Sequence, residues 1–194
     1  MPIPISKKTS AAIEAILAER GIEYWPRVLR LDPERHVAHV EGDRELAYDL
    51  FLGIPVHKAP DVVLESGLAE GGWIAVDPTT FATSFDGVFA VGDVTSAPVP
   101  RAGGIAGGEA RTVADLLIAQ LTGGVKPPPY DGAGACYVEL GGDPVARIDV
   151  NFLSYDTPVA KLAGPSADFV EEMRRWGSTR AERWFGEANS LSDA

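Results

Sequence analysis

The sequence predicts an α/β protein, and its 194 residues leave room for about one and a half domains. Two observations favour this class. Short apolar segments typical of strands alternate with longer segments whose apolar residues recur every three or four positions, as in helices. Hydrophobic residues make up 45% and charged residues 23% of the chain, the composition of a protein with a packed core.

Charge and composition exclude several classes of function. The formal net charge is −11, which argues against nucleic acid as a partner because phosphate binding needs a basic surface. A single cysteine excludes an internal disulfide framework and a cysteine-based zinc site, and no metal site is predicted. The sequence has neither a run long enough to cross a bilayer nor a signal peptide. We therefore expect a cytoplasmic location, or a peripheral one on the cytoplasmic membrane.

The first third of the chain predicts one helix and several strands. A helix is expected from Thr9 to Gly21, because Ile13, Ile16 and Leu17 lie at helical spacing and either Thr9 or Ser10 can cap it. The predicted strands are Ile22–Trp25, Val28–Leu31, His36–Val40, Leu46–Tyr48 and Leu50–Leu52. The last is continuously apolar, as expected of a strand covered on both faces.

The rest of the chain predicts alternating strands and helices. The predicted strands are Trp73–Val76, Val88–Val91, Cys136–Leu140 and Val145–Val150, the last two forming an antiparallel pair. The predicted helices are a short one at Val62–Leu64, one that follows a glycine-rich loop at Arg101–Gly108 and ends at Gly123, and one from Ser166 to Phe185. The proline-rich segment Lys126–Pro129 reads as a stiff linker.

The most informative segment is the predicted strand Val88–Val91 followed by Gly92 and Asp93. Ligands bind at the carboxyl ends of strands in open α/β sheets, where a glycine allows close approach and a carboxylate accepts bonds from hydroxyl groups. The glycine-rich segment that follows would present N–H groups at the start of a helix, a place that stabilises negative charge. A strand–turn–helix in which Asp93 merely caps the turn explains the same residues.

The segment Thr83–Asp93 resembles the second flavin-binding motif of the pyridine nucleotide-disulfide oxidoreductase superfamily. The resemblance implies that FAD is the cofactor and that Asp93, after Gly92, binds its ribityl chain. It also implies that the start of the following helix, at Gly104, Ile105 and Ala106, faces the flavin pyrimidine ring.

A finer resemblance is to the sulfide:quinone reductase and flavocytochrome c sulfide dehydrogenase branch. Tyr48–Pro60 is similar to its flavin loop, with Pro55 beside the cofactor, and Tyr130–Gly141 is similar to its C-terminal cysteine segment. The resemblance implies that Cys136 is one of two redox cysteines, whereas a lone cysteine is more often a buried small hydrophobe. It also suggests that Phe152 and Tyr155 line a quinone or other acceptor site, although core packing is the more usual role of such aromatic residues.

The departures from the superfamily matter as much as the match. The N-terminal Gly-x-Gly-x-x-Gly that binds the FAD pyrophosphate is absent, and there is no second cysteine. The chain therefore resembles a C-terminal half, an incomplete two-dinucleotide-domain flavoprotein with a C-terminal α+β segment for dimerisation or an interface. Its expected parts are a remnant of the second nucleotide-binding domain (residues 1–53), part of the FAD-binding domain (54–125) and a C-terminal sheet-plus-helix segment (130–194).

The function implied is two-electron transfer from a sulfur compound through Cys136 and FAD to a quinone or a cytochrome. The expected partner is the missing N-terminal half or a partner subunit, and homo-oligomers are expected because a divided sheet exposes unpaired edges. Two alternatives remain open: a non-catalytic fragment or split subunit that folds by association, and another FAD/NAD(P) oxidoreductase branch, such as a relative of NADH dehydrogenase or ferredoxin reductase. Whether the chain is an enzyme by itself is left open.

Overall fold

The computed structural model describes residues 6–25, 27–54, 56–139, 141 and 144–186. Its helices are α1 (Lys7–Glu19), α2 (Asp61–Glu65), α3 (Gly103–Thr122) and α4 (Ala167–Phe185). Its strands are β1 (Val28–Asp32), β2 (Val37–Val40), β3 (Arg44–Ala47), β4 (Ala69–Glu70), β5 (Trp73–Ile74), β6 (Ala133–Glu139), β7 (Val145–Asn151) and β8 (Val159–Ser166). This mixture confirms the α/β class. The chain divides into two compact units, residues 1–57 and 58–194, and the predicted three-part domain division remains a prediction.

The first unit consists of α1 and an antiparallel sheet in the order β1-β2-β3. Helix α1 begins earlier than predicted because the Ser6 Oγ, rather than Thr9 or Ser10, caps it and accepts the Thr9 N–H at 3.2 Å. The predicted end is confirmed, since Gly21 adopts the left-handed conformation that follows many helices. The central strand β2 is the most buried part of the sheet.

Two predicted strands of this unit are wrong. Residues 22–25 and 50–52 have no strand geometry, and Leu50 and Leu52 are exposed rather than covered on both faces. A continuous apolar run predicts a buried strand only where neighbouring strands supply hydrogen bonds and cover. Within the described residues, no strand pairs with 50–52.

The first part of the second unit contains α2, the two-stranded β4-β5 sheet and a long irregular segment before α3. The predicted strand Val88–Val91 is reduced to a single antiparallel bridge between Phe89 and Ala82, and the predicted Trp73–Val76 strand ends at Ile74. Hydrogen bonds to a side chain, rather than strand pairing, hold part of the irregular segment between β5 and α3. The Asp77 carboxylate accepts four bonds of 2.7–3.0 Å from the N–H and hydroxyl groups of Thr79 and Thr80.

The C-terminal part is an antiparallel sheet in the order β6-β7-β8 with α4 packed against it. The pairing of β6 with β7 is confirmed, whereas β8 was not predicted. One face of this sheet is tied to α4 through Glu172, whose carboxylate accepts bonds from the Tyr137 hydroxyl at 2.7 Å and from Arg147 Nη1 at 2.8 Å. These bonds hold the pKa of Glu172 below its usual range.

Helix α4 begins at the predicted residue. The Ser166 side chain caps it by accepting the Asp168 N–H at 3.2 Å, and Asp168 places a negative charge in the first turn, where the helix dipole favours it. Across the described residues, no helix is both long enough and apolar enough to cross a membrane.

The Ser166→Ala variant is expected to lower the free energy of unfolding by about 1 kcal/mol, because it removes the acceptor for a helix N–H. Urea denaturation followed by circular dichroism measures this. Ser178→Ala is the matched control, since the Ser178 hydroxyl only donates to the Arg175 carbonyl within α4. Equal effects of the two substitutions would show that the cap contributes nothing specific.

Candidate functional site

The centre of the candidate site is a short 3₁₀ turn, Gly92–Val94, held against the start of α3. The Gly92 N–H donates to the Glu109 carboxylate, and a Cβ at Gly92 would lie 3.5 Å from the Ala106 Cβ. Gly92 has a φ of +79°, which a residue with a side chain rarely adopts. The glycine is therefore required by its backbone conformation, and the turn is fixed to α3 through a buried carboxylate.

The backbone of Asp93 is held by a hydrogen bond from Arg101, whereas its side chain is exposed to solvent. Its carbonyl accepts a bond from Arg101 Nε at 3.0 Å, and the Arg101 guanidinium lies 3.8 Å from the ring centroid of Trp73. The Asp93 side chain is exposed, and its carboxylate forms neither a hydrogen bond nor an ion pair with any residue that the structure describes. It is free to accept bonds from the hydroxyl groups of a ligand.

The glycine-rich segment is helical, not a loop as predicted, because α3 begins at Gly103. This changes which N–H groups are available. The Ala106 N–H already donates to the Ala102 carbonyl at 2.9 Å, whereas the N–H groups of Gly104 and Ile105 lie in the first turn, where no intrahelical acceptor exists. A Cβ at Gly103 or Gly104 would meet nothing within 4 Å, so this end of the helix is open to a ligand.

Cys136 is exposed, so it is not a buried small hydrophobe. It lies on β6 opposite Ile148 of β7 and shares a sheet face with Gly134, because side chains alternate along a strand. That face packs on α3: a Cβ at Gly134 would come within 2.6 Å of Ile105 Cδ1. The structure therefore brings the cysteine to the sheet face that packs on the first turn of α3.

The remaining predicted site residues lie elsewhere or cannot be placed. Phe152 and Tyr155 are in the loop after β7, where Phe152 is half-buried and Tyr155 is exposed, so core packing does not explain Tyr155. The Phe152 N–H donates to the Gly132 carbonyl at 3.1 Å. Pro55 lies outside the described residues.

The sequence did not single out Glu109 or Tyr130, two buried polar residues behind the turn. Glu109 is 2% exposed, and burial together with the Asp93 charge raises its pKa. The ring of Tyr130 packs on Phe81 at 5.2 Å, and burial followed by the charge of Glu109 raises the pKa of Tyr130 to about 12. The Tyr130 hydroxyl has no hydrogen-bond partner among the described residues. A glutamate inside a helical pattern gives no local signal of burial.

The size of the cleft decides how a flavin can fit this site. The cleft between the Gly92–Val94 turn and α3 has a volume of about 10 Å³, roughly the space of one water molecule. A planar ring system cannot enter it. The groups that fit a flavin lie at the cleft's rim instead: the Asp93 carboxylate for hydroxyl groups and the open N-terminus of α3 for an electron-rich ring edge.

Comparison with known proteins supports the fold. The sequence matches no protein-family model and no curated protein. Two solved structures are similar: a ferredoxin reductase for the CYP199A2 system from Rhodopseudomonas palustris, with 22% identity and a TM-score of 0.55, and a chain in the mitochondrial ATP synthase of Tetrahymena thermophila, with 19% identity and a TM-score of 0.57. The matches cover 79% and 77% of this chain, respectively, but only 39% and 38% of the neighbours.

These likenesses establish that the chain has the fold of part of a ferredoxin reductase chain, and that it spans about two fifths of each neighbour's length.

The pH dependence of stability tests the environment of Glu109. Because the pKa of Glu109 is raised in the folded state, its contribution to stability is present at low pH and is lost as pH rises through that pKa. Relative to the wild type, Glu109→Gln should gain thermal stability as pH increases, since an amide still accepts the Gly92 N–H but carries no charge.

Melting temperatures measured from acid to mildly alkaline pH show this difference. Glu65→Gln, at an exposed position of α2, should follow the wild-type profile. A constant offset between Glu109→Gln and the wild type at every pH would contradict the raised pKa.

Proposed function

We propose that this chain is the flavin-facing C-terminal part of an FAD-dependent oxidoreductase, in which two electrons pass from a sulfur compound through Cys136 and the flavin to a quinone or cytochrome. The observation that carries the proposal is the placement of three features around the first turn of α3. These are the exposed Asp93 carboxylate, the open helix N-terminus and the sheet face that bears Cys136.

Different residues of this chain would contact different parts of the flavin cofactor. Asp93 accepts bonds from the hydroxyl groups of the ribityl chain, and the N–H groups of Gly104 and Ile105 stabilise negative charge on the pyrimidine edge of the ring. Glu109 acts through the backbone, because its bond to the Gly92 N–H fixes the turn that carries Asp93. These 194 residues contain no Gly-x-Gly-x-x-Gly, so the pyrophosphate site would lie outside them.

The proposed role of Cys136 requires a second cysteine, which the partner chain supplies. Attack of a sulfide ion on the disulfide between the two cysteines forms one new S–S bond, breaks the old one, and leaves a persulfide on one sulfur and a thiolate on the other. In this step the disulfide is the oxidant of the sulfide. A bound flavin would accept the two electrons released when the thiolate and the persulfide then join through a new S–S bond with loss of the persulfide proton. The exposed thiol of Cys136 is accessible to such a donor.

Flavin binding to the isolated chain tests the cofactor assignment. We expect FMN and FAD to bind with similar weak affinity, because both carry the ring and the ribityl chain that this site recognises. Asp93→Asn should weaken both by about tenfold, the effect of one charge-assisted hydrogen bond. Quenching of flavin fluorescence measures the dissociation constants.

Two variants serve as controls. Asp86→Asn, at an exposed carboxylate in the loop before Val88, should bind flavin as the wild type does. Cys136→Ser should also retain flavin binding, but it should abolish flavin reduction by sulfide in the assembled enzyme. Flavin affinity that is identical in Asp93→Asn and the wild type would reject the site, whereas sulfide reduction that survives Cys136→Ser would reject only the sulfur chemistry.

An exposed apolar segment supports association with another chain. Its members, Leu52, Ile54 and Val56, are 84%, 86% and 97% exposed, and such a run on a soluble protein marks an interaction surface. In the resembling branch this stretch belongs to the strand and flavin loop, so the partner half would cover it. We propose that, without that partner, copies of this chain associate through it.

Light scattering of the purified chain tests this association. The wild type should have the mass of a dimer or larger oligomer, and the double variant Leu52→Asp/Ile54→Asp should have the mass of a monomer. The matched control, Leu121→Asp/Val125→Asp, changes two equally exposed apolar residues at and after the end of α3 and should remain oligomeric. A wild-type chain that is monomeric at every concentration would refute the proposal.

A further inference from the structure

A groove runs between α3 and α4 and reaches the first turn of α3 at Gly104. It has a volume of about 710 Å³, and its α3 side is formed in part by Gly104, Gly107 and Gly108. A Cβ at Gly104 would meet nothing within 4 Å, so the helix backbone is uncovered there. The groove's charged and aromatic lining comes from Arg111, Asp115, Arg180, Arg183 and Trp184.

Three arginines, Arg111, Arg180 and Arg183, line this groove. Burial and then the positive charges of Arg111 and Arg183 lower the pKa of Arg180. None of the three forms an ion pair within the described residues, whereas Arg27, Arg35, Arg147 and Arg174 all do. Asp115 is the one acidic side chain in the groove lining. The groove therefore concentrates uncompensated positive charge on a chain whose net charge is −11.

The central arginine is held in place by its surroundings. The Arg180 guanidinium lies 3.7 Å from the ring centroid of Trp176 and 6.0 Å from that of Trp184, and its Nη1 donates to the Trp176 carbonyl at 3.4 Å. Its Nη2 lies 3.9 Å from the position of a Cβ on Gly107. Stacking on tryptophan fixes the plane of the guanidinium, so little side-chain entropy is lost when a ligand binds.

We propose that the groove between α3 and α4 binds a small phosphorylated anion, whose phosphate oxygens accept hydrogen bonds from Arg111, Arg180 and Arg183. Guanidinium groups bind phosphate oxygens through paired N–H donors, and a diphosphate has enough oxygens to engage all three. A free anion fits better than a lipid surface, because the site is recessed between two helices and the net negative charge of the chain repels an anionic membrane. The proposal does not depend on flavin binding.

Isothermal titration of the full chain with inorganic pyrophosphate, at constant ionic strength, tests the site. We expect saturable binding to one site, and the dissociation constant should rise about tenfold or more in both Arg111→Gln and Arg183→Gln. Both residues are exposed, so their replacement leaves the fold intact, as circular dichroism of each variant will verify. Arg174→Gln is the matched control. Arg174 lies on α4, as Arg183 does, but it pairs with Glu171 outside the groove.

The outcomes separate the alternatives. Binding that weakens in the two groove variants and not in Arg174→Gln supports the site. The absence of saturable pyrophosphate binding overturns it, as does an equal loss in Arg174→Gln, which would indicate attraction to overall charge. Flotation with vesicles containing phosphatidylserine, in the absence of pyrophosphate binding, would also overturn it and identify a membrane as the anionic partner.

Discussion

The hydrogen bond between the Gly92 N–H and the buried carboxylate of Glu109 is the contact on which the candidate site depends. The strand expected to position Asp93 is reduced to one bridge at Phe89, so a sheet does not hold this carboxylate in place. Helix α3 holds it instead, through Glu109 and through the close packing of Gly92 on Ala106. A carboxylate is expensive to bury, and it is retained where its acceptor role satisfies a backbone donor that would otherwise have no partner.

The sequence predicted best the elements whose determinants lie within their own residues, such as apolar spacing and capping residues. Helix α4 combines apolar residues at helical spacing with a serine cap, and it begins and ends near the expected residues. Helix α3 ends at the predicted Gly123, but it begins at Gly103, within the segment predicted as a loop. The segments 50–52 and 88–91 failed for a common reason. Their apolar residues predict burial. Whether neighbouring strands are present to bury them and to supply hydrogen bonds depends on other parts of the chain. Strand β8 was missed because Gly164 and Pro165 interrupt its pattern.

The candidate site was predictable to a similar degree. Asp93 and the start of α3 were found because glycines and a carboxylate after an apolar run form a recognisable pattern, and the structure places them together. Glu109 was not found, because burial of a single helical residue depends on which face of α3 meets the Gly92–Val94 turn. The arginine groove was missed because Arg111 and Arg180 are far apart in the sequence, and only the fold brings α3 and α4 to the two sides of one groove.

Side chains along β6 alternate between the two faces of the sheet, so the register of β6 decides on which face the Cys136 thiol lies. Cys136 and Tyr137 are adjacent, so a shift in the pairing of β6 with β7 by a single residue would exchange their sides of the sheet. The bonds from Tyr137 and Arg147 to Glu172 form only when Tyr137 lies on the side of α4. The cluster of Tyr137, Arg147 and Glu172, on the opposite face of the sheet from the thiol, thus fixes the register of β6. This register keeps the sulfur atom on the side of α3.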